Sequence, residues 1–393
     1  MPSWLDEAGK LFNYFDVSIE AIDYEKGIFF PDYEHSLLEL PNSVRDYMLD
    51  STGIISDYSK GRQNVVVVIA DALGVYTLLQ NKDLLHKMLG KASTSIVVSS
   101  IAPTSTASII PSLSTGLLPA QHGIAGYRMY IKELGCIVRT FDLKPVKYDH
   151  SCNVCINSSF RLLSGNTIFE ELKGEGIVSY YLVNKNVSES LFTTEVSRGA
   201  NTVPYFSTGD MLANLTGILE GEGKLIYVYW DEIDVLSHEY GPLSLQVREG
   251  VEHLIWFLNR LIEKVGEKSI ITVIADHGHI VVDREDMRIY DHSPCEGCLT
   301  IPFGERRFLY FLTRNNFEIL CEDCIVINKN NYPRLFGTKI SPEFKERFGD
   351  IVVLPPGSNM IVYKYKPEDA DKIVKGHHGG LSLEELLVPF IIF

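Results

Sequence analysis

The segment Asp234-Val-Leu-Ser-His238 sets a carboxylate and an imidazole four positions apart, directly after a run of apolar and aromatic residues. On a helical turn such a pair shares a face and can grip one metal ion. Asp276-His277-Gly278 is a second acid and imidazole pair at the end of an apolar run, and Gly278 lets the chain turn away sharply. His377-His378-Gly379-Gly380 stands just before the last apolar run, and Asp71 closes the run Val-Val-Val-Val-Ile-Ala. Taken singly, each cluster also reads as a helix cap, an Asx turn or a polar loop. Four of them at the ends of separate apolar runs point together to a metal centre. Two histidine-rich sites sharing carboxylates suit two zinc ions better than magnesium, which prefers oxygen donors.

A nucleophile for such a centre lies in the hydroxyl-rich stretch from Ala102 to Gly116. A hydroxyl where a strand gives way to a helix would face phosphate together with the free N–H groups of the first turn. Threonine and serine are poor nucleophiles at neutral pH unless a neighbouring metal lowers their pKa. Residue chemistry alone does not choose among Thr104, Ser105, Thr106 and Ser108, and a plain Ser/Thr-rich helix cap is the competing reading.

The elements that must position these groups are short β-branched runs, Asn64 to Asp71, Thr94 to Ala102, Ile177 to Asn184, Lys224 to Asp234 and Ser269 to Asp276. Between the last two, apolar residues from Val247 to Val265 fall at helical spacing. Strand, helix, strand predicts a mainly parallel sheet with helices on both faces, and in such sheets functional groups gather beyond the carboxyl ends of the strands. The expected organisation is a helical N-terminal layer over 1–60, a catalytic α/β core over 61–280, an inserted cap over 281–374 and a C-terminal strand returning to the core over 375–393.

A chain of 393 residues, 45% hydrophobic and 22% charged, is long enough for one large core with an insertion. Its net charge of −15 disfavours a grip on polymeric nucleic acid, which needs a basic surface. Met1 to Tyr14 carry no secretory pattern, and no apolar run reaches the roughly 18 residues that span a bilayer. A cytoplasmic protein that does not engage membranes is the expectation. Of seven cysteines, six form Cys-x-x-Cys pairs. Cys295/Cys298 and Cys321/Cys324, both in the expected cap, suit either a structural metal or disulfides, while Cys152/Cys155 reads as a local pair.

The ordered series VIADALG, PTSTASIIPSLSTGLLPAQHGI, DEIDVLSHEYGP, ADHG and GHHGG resembles the nucleotide pyrophosphatase/phosphodiesterase branch of the alkaline phosphatase superfamily. The resemblance implies an alkaline-phosphatase-like α/β fold. It also implies hydrolysis of phosphodiester or nucleotide pyrophosphate bonds in a small, nucleotide-like substrate through a covalent intermediate on threonine. In that family the nucleophile precedes the glycine of a Thr-Gly-Leu-x-Pro stretch by ten residues, which gives Thr106. By the same resemblance one zinc belongs to Asp71, Thr106, Asp276 and His277, and the other to Asp234, His238 and His378, with His377 left outside. Many members carry an asparagine where this chain has Tyr127, so Tyr127 becomes a candidate substrate contact. A sulfatase is disfavoured because the C/S-x-P-x-R setting is absent. A phosphomonoesterase is the main alternative, and a non-catalytic, metal-stabilised binding protein the second.

Overall fold

The computed structural model describes residues 2–147, 160–370 and 374–393. The pair Cys152/Cys155 lies outside the described residues.

Eight strands form the central sheet, in the order Tyr14–Phe15, Thr94–Ser99, Leu387–Ile392, Ser269–Ile274, Asn64–Ala70, Lys224–Trp230, Val178–Asn184 and Asn201–Tyr205. All run parallel except Leu387–Ile392, which pairs antiparallel with both neighbours. Asn64–Ala70 and Ser269–Ile274 are buried along their whole length, which explains why they read as unbroken β-branched runs rather than alternating ones. The helix Leu245–Val265 buries the stripe expected for it, including Val247, Val251, Leu254, Leu258 and Leu261. Its Ser244 caps the first turn by accepting from Val247 N–H.

Register sets the site. Trp230 lies beside Ala70, and Ile274 beside Ile69, so the strands preceding Asp71, Asp234 and Asp276 end at one edge of the sheet. The crevice rule for parallel sheets places functional groups there.

A second, antiparallel sheet has the order Ile325–Asn328, Ile351–Leu354, Leu309–Phe311, Phe303–Gly304, Arg128–Ile131 and Cys136–Arg139. Two of its strands come from the segment read as core. The layer expected over 281–374 is thus built together with the hairpin that follows Tyr127. The N-terminal residues are more mixed than a helical layer. Helices Trp4–Leu11 and Glu39–Asp50 are joined there by the edge strand Tyr14–Phe15 and the hairpin of Glu20–Asp23 with Ile28–Phe30. Cys295 is joined to Cys298 and Cys321 to Cys324 as disulfides. With the second bond reduced, Cys321 and Cys324 would stand with Asp323 as a small group of donor atoms. Among the described residues, no helix is long and apolar enough to cross a membrane.

Candidate active site

Asp71, Asp276 and His277 form a buried cluster at the sheet edge. His277 Nε2 lies 3.5 Å from Asp71 Oδ1 and 3.4 Å from Asp276 Oδ2. Asp276 is held by Ala72 N–H at 3.1 Å and His277 N–H at 2.8 Å, both donating to Oδ1. Its Oδ2 is buried without a hydrogen-bond partner. The Tyr229 hydroxyl donates to Asp71 Oδ2. Gly278 is required at the turn, because a Cβ there would meet the carbonyl oxygen of Glu384 at 2.0 Å.

Asp234, His238, His279 and His378 form the second cluster. The Nε2 atoms of His279, His238 and His378 lie 2.8, 3.5 and 3.8 Å from one oxygen, Asp234 Oδ1. Asp234 and His238 sit on the helix Glu232–Tyr240, four residues apart on one face as their spacing predicts. His238 Nδ1 faces the carbonyl of Gly376 at 2.9 Å, and His378 Nδ1 that of Thr104 at 2.8 Å. A carbonyl only accepts, so each Nδ1 carries a proton, which leaves Nε2 of each ring, turned toward Asp234, as the atom that can ligate a metal. His377 instead folds onto the backbone of its neighbour, with Nδ1 2.7 Å from the carbonyl of His378 and 2.8 Å from its backbone nitrogen.

His279 is absent from the ligand set that the sequence suggested. Ile280–Val281 pairs antiparallel with Gly376–His377, which draws His279 against the loop carrying His378. Gly376 makes room, since a Cβ there would fall 2.4 Å from the carbonyl of Ser237 and 3.1 Å from His279 Nδ1. The signal was present in the string Asp276-His277-Gly278-His279, but a two-residue spacing puts both rings on one side only where the chain is extended. Tyr229 and Glu305 carried no such signal.

The four candidate hydroxyls separate cleanly. Thr104 Oγ1, fully buried, donates to the carbonyl of Gly380 at 2.7 Å, and Ser105 Oγ donates to Glu305 Oε1 at 2.6 Å. Ser108 Oγ is buried with no partner. Thr106, the first residue of the helix Thr106–Thr115, points its Oγ1 at His277 Nε2 (3.1 Å) and at Asp71 Oδ2 (3.3 Å). Tyr127 donates its backbone N–H to Glu305 Oε1 at 2.6 Å, and its ring packs on Phe141 with centroids 5.5 Å apart.

Electrostatics decide what this arrangement can hold. Burial, reinforced by the charges of Asp276 and Asp234, pushes the Asp71 acid well above its usual range. Burial likewise raises Asp276 to about 6, and it drives His277 down to about 3 and His279 and His378 well below their ordinary value. Three carboxyl groups and four imidazoles, of which burial keeps His277, His279 and His378 neutral, converge here, and no lysine or arginine makes an ion pair with Asp71, Asp234 or Asp276 among the described residues. Cations satisfy such a set. The orphaned Asp276 Oδ2 and the three Nε2 atoms ranged around Asp234 Oδ1 are donors suited to them.

The model of the family described as type I phosphodiesterase/nucleotide pyrophosphatase matches residues 65–294, more than half of the chain. The chain belongs to the type I phosphodiesterase/nucleotide pyrophosphatase family. It is thereby a phosphoester hydrolase with the alkaline-phosphatase-like fold. Among solved structures, the chain is similar to human ectonucleotide pyrophosphatase/phosphodiesterase 5, with TM-score 0.62 and 16% identity over 84% of this chain and 87% of that one. The murine counterpart matches at TM-score 0.60 and 16% identity, covering 84% and 88%. Phosphonoacetate hydrolase from Sinorhizobium meliloti, in complex with phosphonoformate, matches at TM-score 0.60 and 18% identity, covering 84% and 90%. At these identities the structural likeness speaks for the fold alone. No curated protein matches the chain.

Proposed function

We propose that this family member hydrolyses phosphodiester or nucleotide pyrophosphate bonds of a small, nucleotide-like substrate through a covalent phosphothreonine on Thr106. The observation that carries the reading is the Thr106 hydroxyl, held 3.1 Å from His277 Nε2 and 3.3 Å from Asp71 Oδ2 at the start of a helix. Asp71, Thr106, Asp276 and His277 would hold one divalent cation, and Asp234, His238, His378 and His279 a second. The imidazole-rich donors favour zinc. Bound cations supply Lewis-acid polarisation of the phosphoryl oxygens.

The chain's own groups do the rest. Asp71 and His277 orient the Thr106 oxygen for attack on phosphorus, and the first-turn N–H groups face the phosphoryl oxygens. The ester oxygen leaves as the alcohol or nucleotide, taking up the equivalent of the Thr106 hydroxyl proton, while the phosphorus stays on Thr106. Water then attacks the phosphorus, its proton passing to the threonine oxygen, and the hydroxyl is restored. The Tyr127 and Phe141 rings offer an aromatic wall for the second esterified group of a diester. A small phosphorylated ligand also agrees with the company the fold keeps: an inactive form of the murine phosphodiesterase is complexed with AMP, and the Sinorhizobium hydrolase with phosphonoformate.

The test compares the nitrophenyl ester of thymidine 5′-phosphate with nitrophenyl phosphate at equal zinc. The diester is expected to show the higher kcat/KM, and mass spectrometry of acid-quenched protein to find the modification on the Thr106 peptide. A monoester advantage of roughly tenfold or more would move the assignment to a phosphatase.

A further inference from the structure

Beside the nucleophile loop, the second sheet encloses a crevice lined by Arg128, Phe303, Glu305, Arg306, Tyr363 and Tyr365, among others. Its two guanidinium groups are the feature that the catalytic reading leaves unused. Arg128 lies over the rings of Tyr127 and Tyr365, 5.0 and 4.9 Å from their centroids. Neither Arg128 nor Arg306 makes a side-chain ion pair or hydrogen bond with a carboxylate among the described residues. Asp369 also lines the crevice, but its Oδ2 accepts from Lys366 N–H. Glu305 turns Oε1 to Ser105 and to Tyr127 N–H.

Two cations sharing a small, largely buried space repel each other and lose hydration. Burial, followed by the charge of Arg128, pulls Arg306 down to about 10, and the opposing charges of Asp369 and Glu305 offset only part of this. An incoming anion relieves both costs at once, and guanidinium is the cation best matched to a carboxylate or phosphate.

The crevice adjoins the reacting centre. Arg128 follows Tyr127 in the chain and pairs with Gly304 across the second sheet. Glu305, which lines the crevice, takes its hydrogen bond from Ser105, the residue preceding Thr106. We propose that Arg128 and Arg306 form an anion subsite that receives a second negatively charged group, carboxylate or phosphate, of a substrate whose phosphoryl group is attacked by Thr106. The inference rests on the proposed hydrolase reading and narrows its substrate to phosphoryl compounds with a further anionic group. It also supplies positive charge that no motif in the sequence announces.

Calorimetric titration of zinc-loaded protein with ω-phosphonocarboxylates of increasing chain length, each beside its uncharged amide, tests the subsite without turnover. At one chain length the carboxylate should bind roughly tenfold tighter than the amide. That advantage should collapse in Arg128→Met and in Arg306→Met and survive in part in Arg128→Lys, with amide affinity and zinc content unchanged. If Arg306→Met does not fold, the exposed edge of the test remains with Arg128→Met and Arg128→Lys. No advantage at any chain length, or one indifferent to the arginine substitutions, overturns the subsite. Failure to hydrolyse either nitrophenyl ester, with an arginine-dependent preference intact, sinks the hydrolase reading and spares the subsite.

Discussion

The imidazole of His277 stacks on that of His378, with ring centroids 3.8 Å apart and planes 13° from parallel. The two residues come from strand ends on opposite sides of the cap segment, and each belongs to a different donor cluster. Their contact makes the two clusters one continuous centre. Because both rings are neutral, burial having driven their protonation to low pH, the stack carries no charge repulsion.

Thr106→Ala should lower turnover by roughly a thousandfold or more while zinc content stays near that of the parent. Thr104→Ala removes hydrogen bonds to the backbone of Gly379 and Gly380. It should cost about 1 kcal/mol of stability and much less activity. Steady-state kinetics beside thermal unfolding separates the two. Equal loss of activity in both variants would indicate a damaged loop.

His279→Ala should weaken metal retention at the Asp234 cluster by roughly 10- to 100-fold, read by zinc content after dialysis against a graded chelator. The substitution His377→Ala, at a ring bonded to the backbone of His378, should leave zinc content unchanged. A wild-type zinc content in His279→Ala would remove His279 from the donor set.

Asp276→Asn should have opposite effects with and without metal. The Asp276 acid is raised from 3.8 to about 6 in the fold, so between those pH values the folded state binds more protons than the unfolded one. Stability of chelated protein therefore falls as pH rises through that window, by an amount on the order of 3 kcal/mol from this group. Asn removes the loss. At pH 7 the chelated variant should melt above the chelated parent, whereas with zinc the order reverses. Scanning calorimetry at pH 4, 5, 6 and 7, with and without chelator, checks the crossing.

Arg307→Met should destabilise the protein by about 3 to 5 kcal/mol, since it strands a buried charge. Arg307 Nε and Nη2 donate to Glu385 Oε1 and Oε2 at 2.9 and 3.0 Å, and the same carboxylate accepts from Gly380 and Ser382 N–H. Burial pushes the Glu385 acid up, but the Arg307 charge and these hydrogen bonds outweigh it and hold the acid below its usual range. The pair's stabilisation is therefore present above the unfolded pKa of the glutamate and lost as pH falls through the folded one. Denaturant unfolding of parent and variant at pH 7 measures it, and a difference under 1 kcal/mol would show the carboxylate finding another partner.

What the sequence determined by itself was local. Unbroken β-branched runs ending in Asp71 and Asp276 specify parallel strands buried on both faces, and a four-residue spacing puts Asp234 and His238 on one helical face, because both patterns follow from backbone period alone. The family's motifs added Thr106 and His378 as candidates. What only the tertiary structure decided were the choices that depend on pairing between distant segments. The four hydroxyls from Thr104 to Ser108 look alike in sequence, and the partners of Thr104, Ser105 and Thr106 come from Gly380, Glu305 and the Asp71 cluster. His279 joins the second cluster because Ile280 pairs with His377, and Arg128 meets Arg306 because a hairpin of the core segment adds to the second sheet. Strand pairing across tens of residues leaves no periodicity in the chain itself, so these contacts became visible only in the fold.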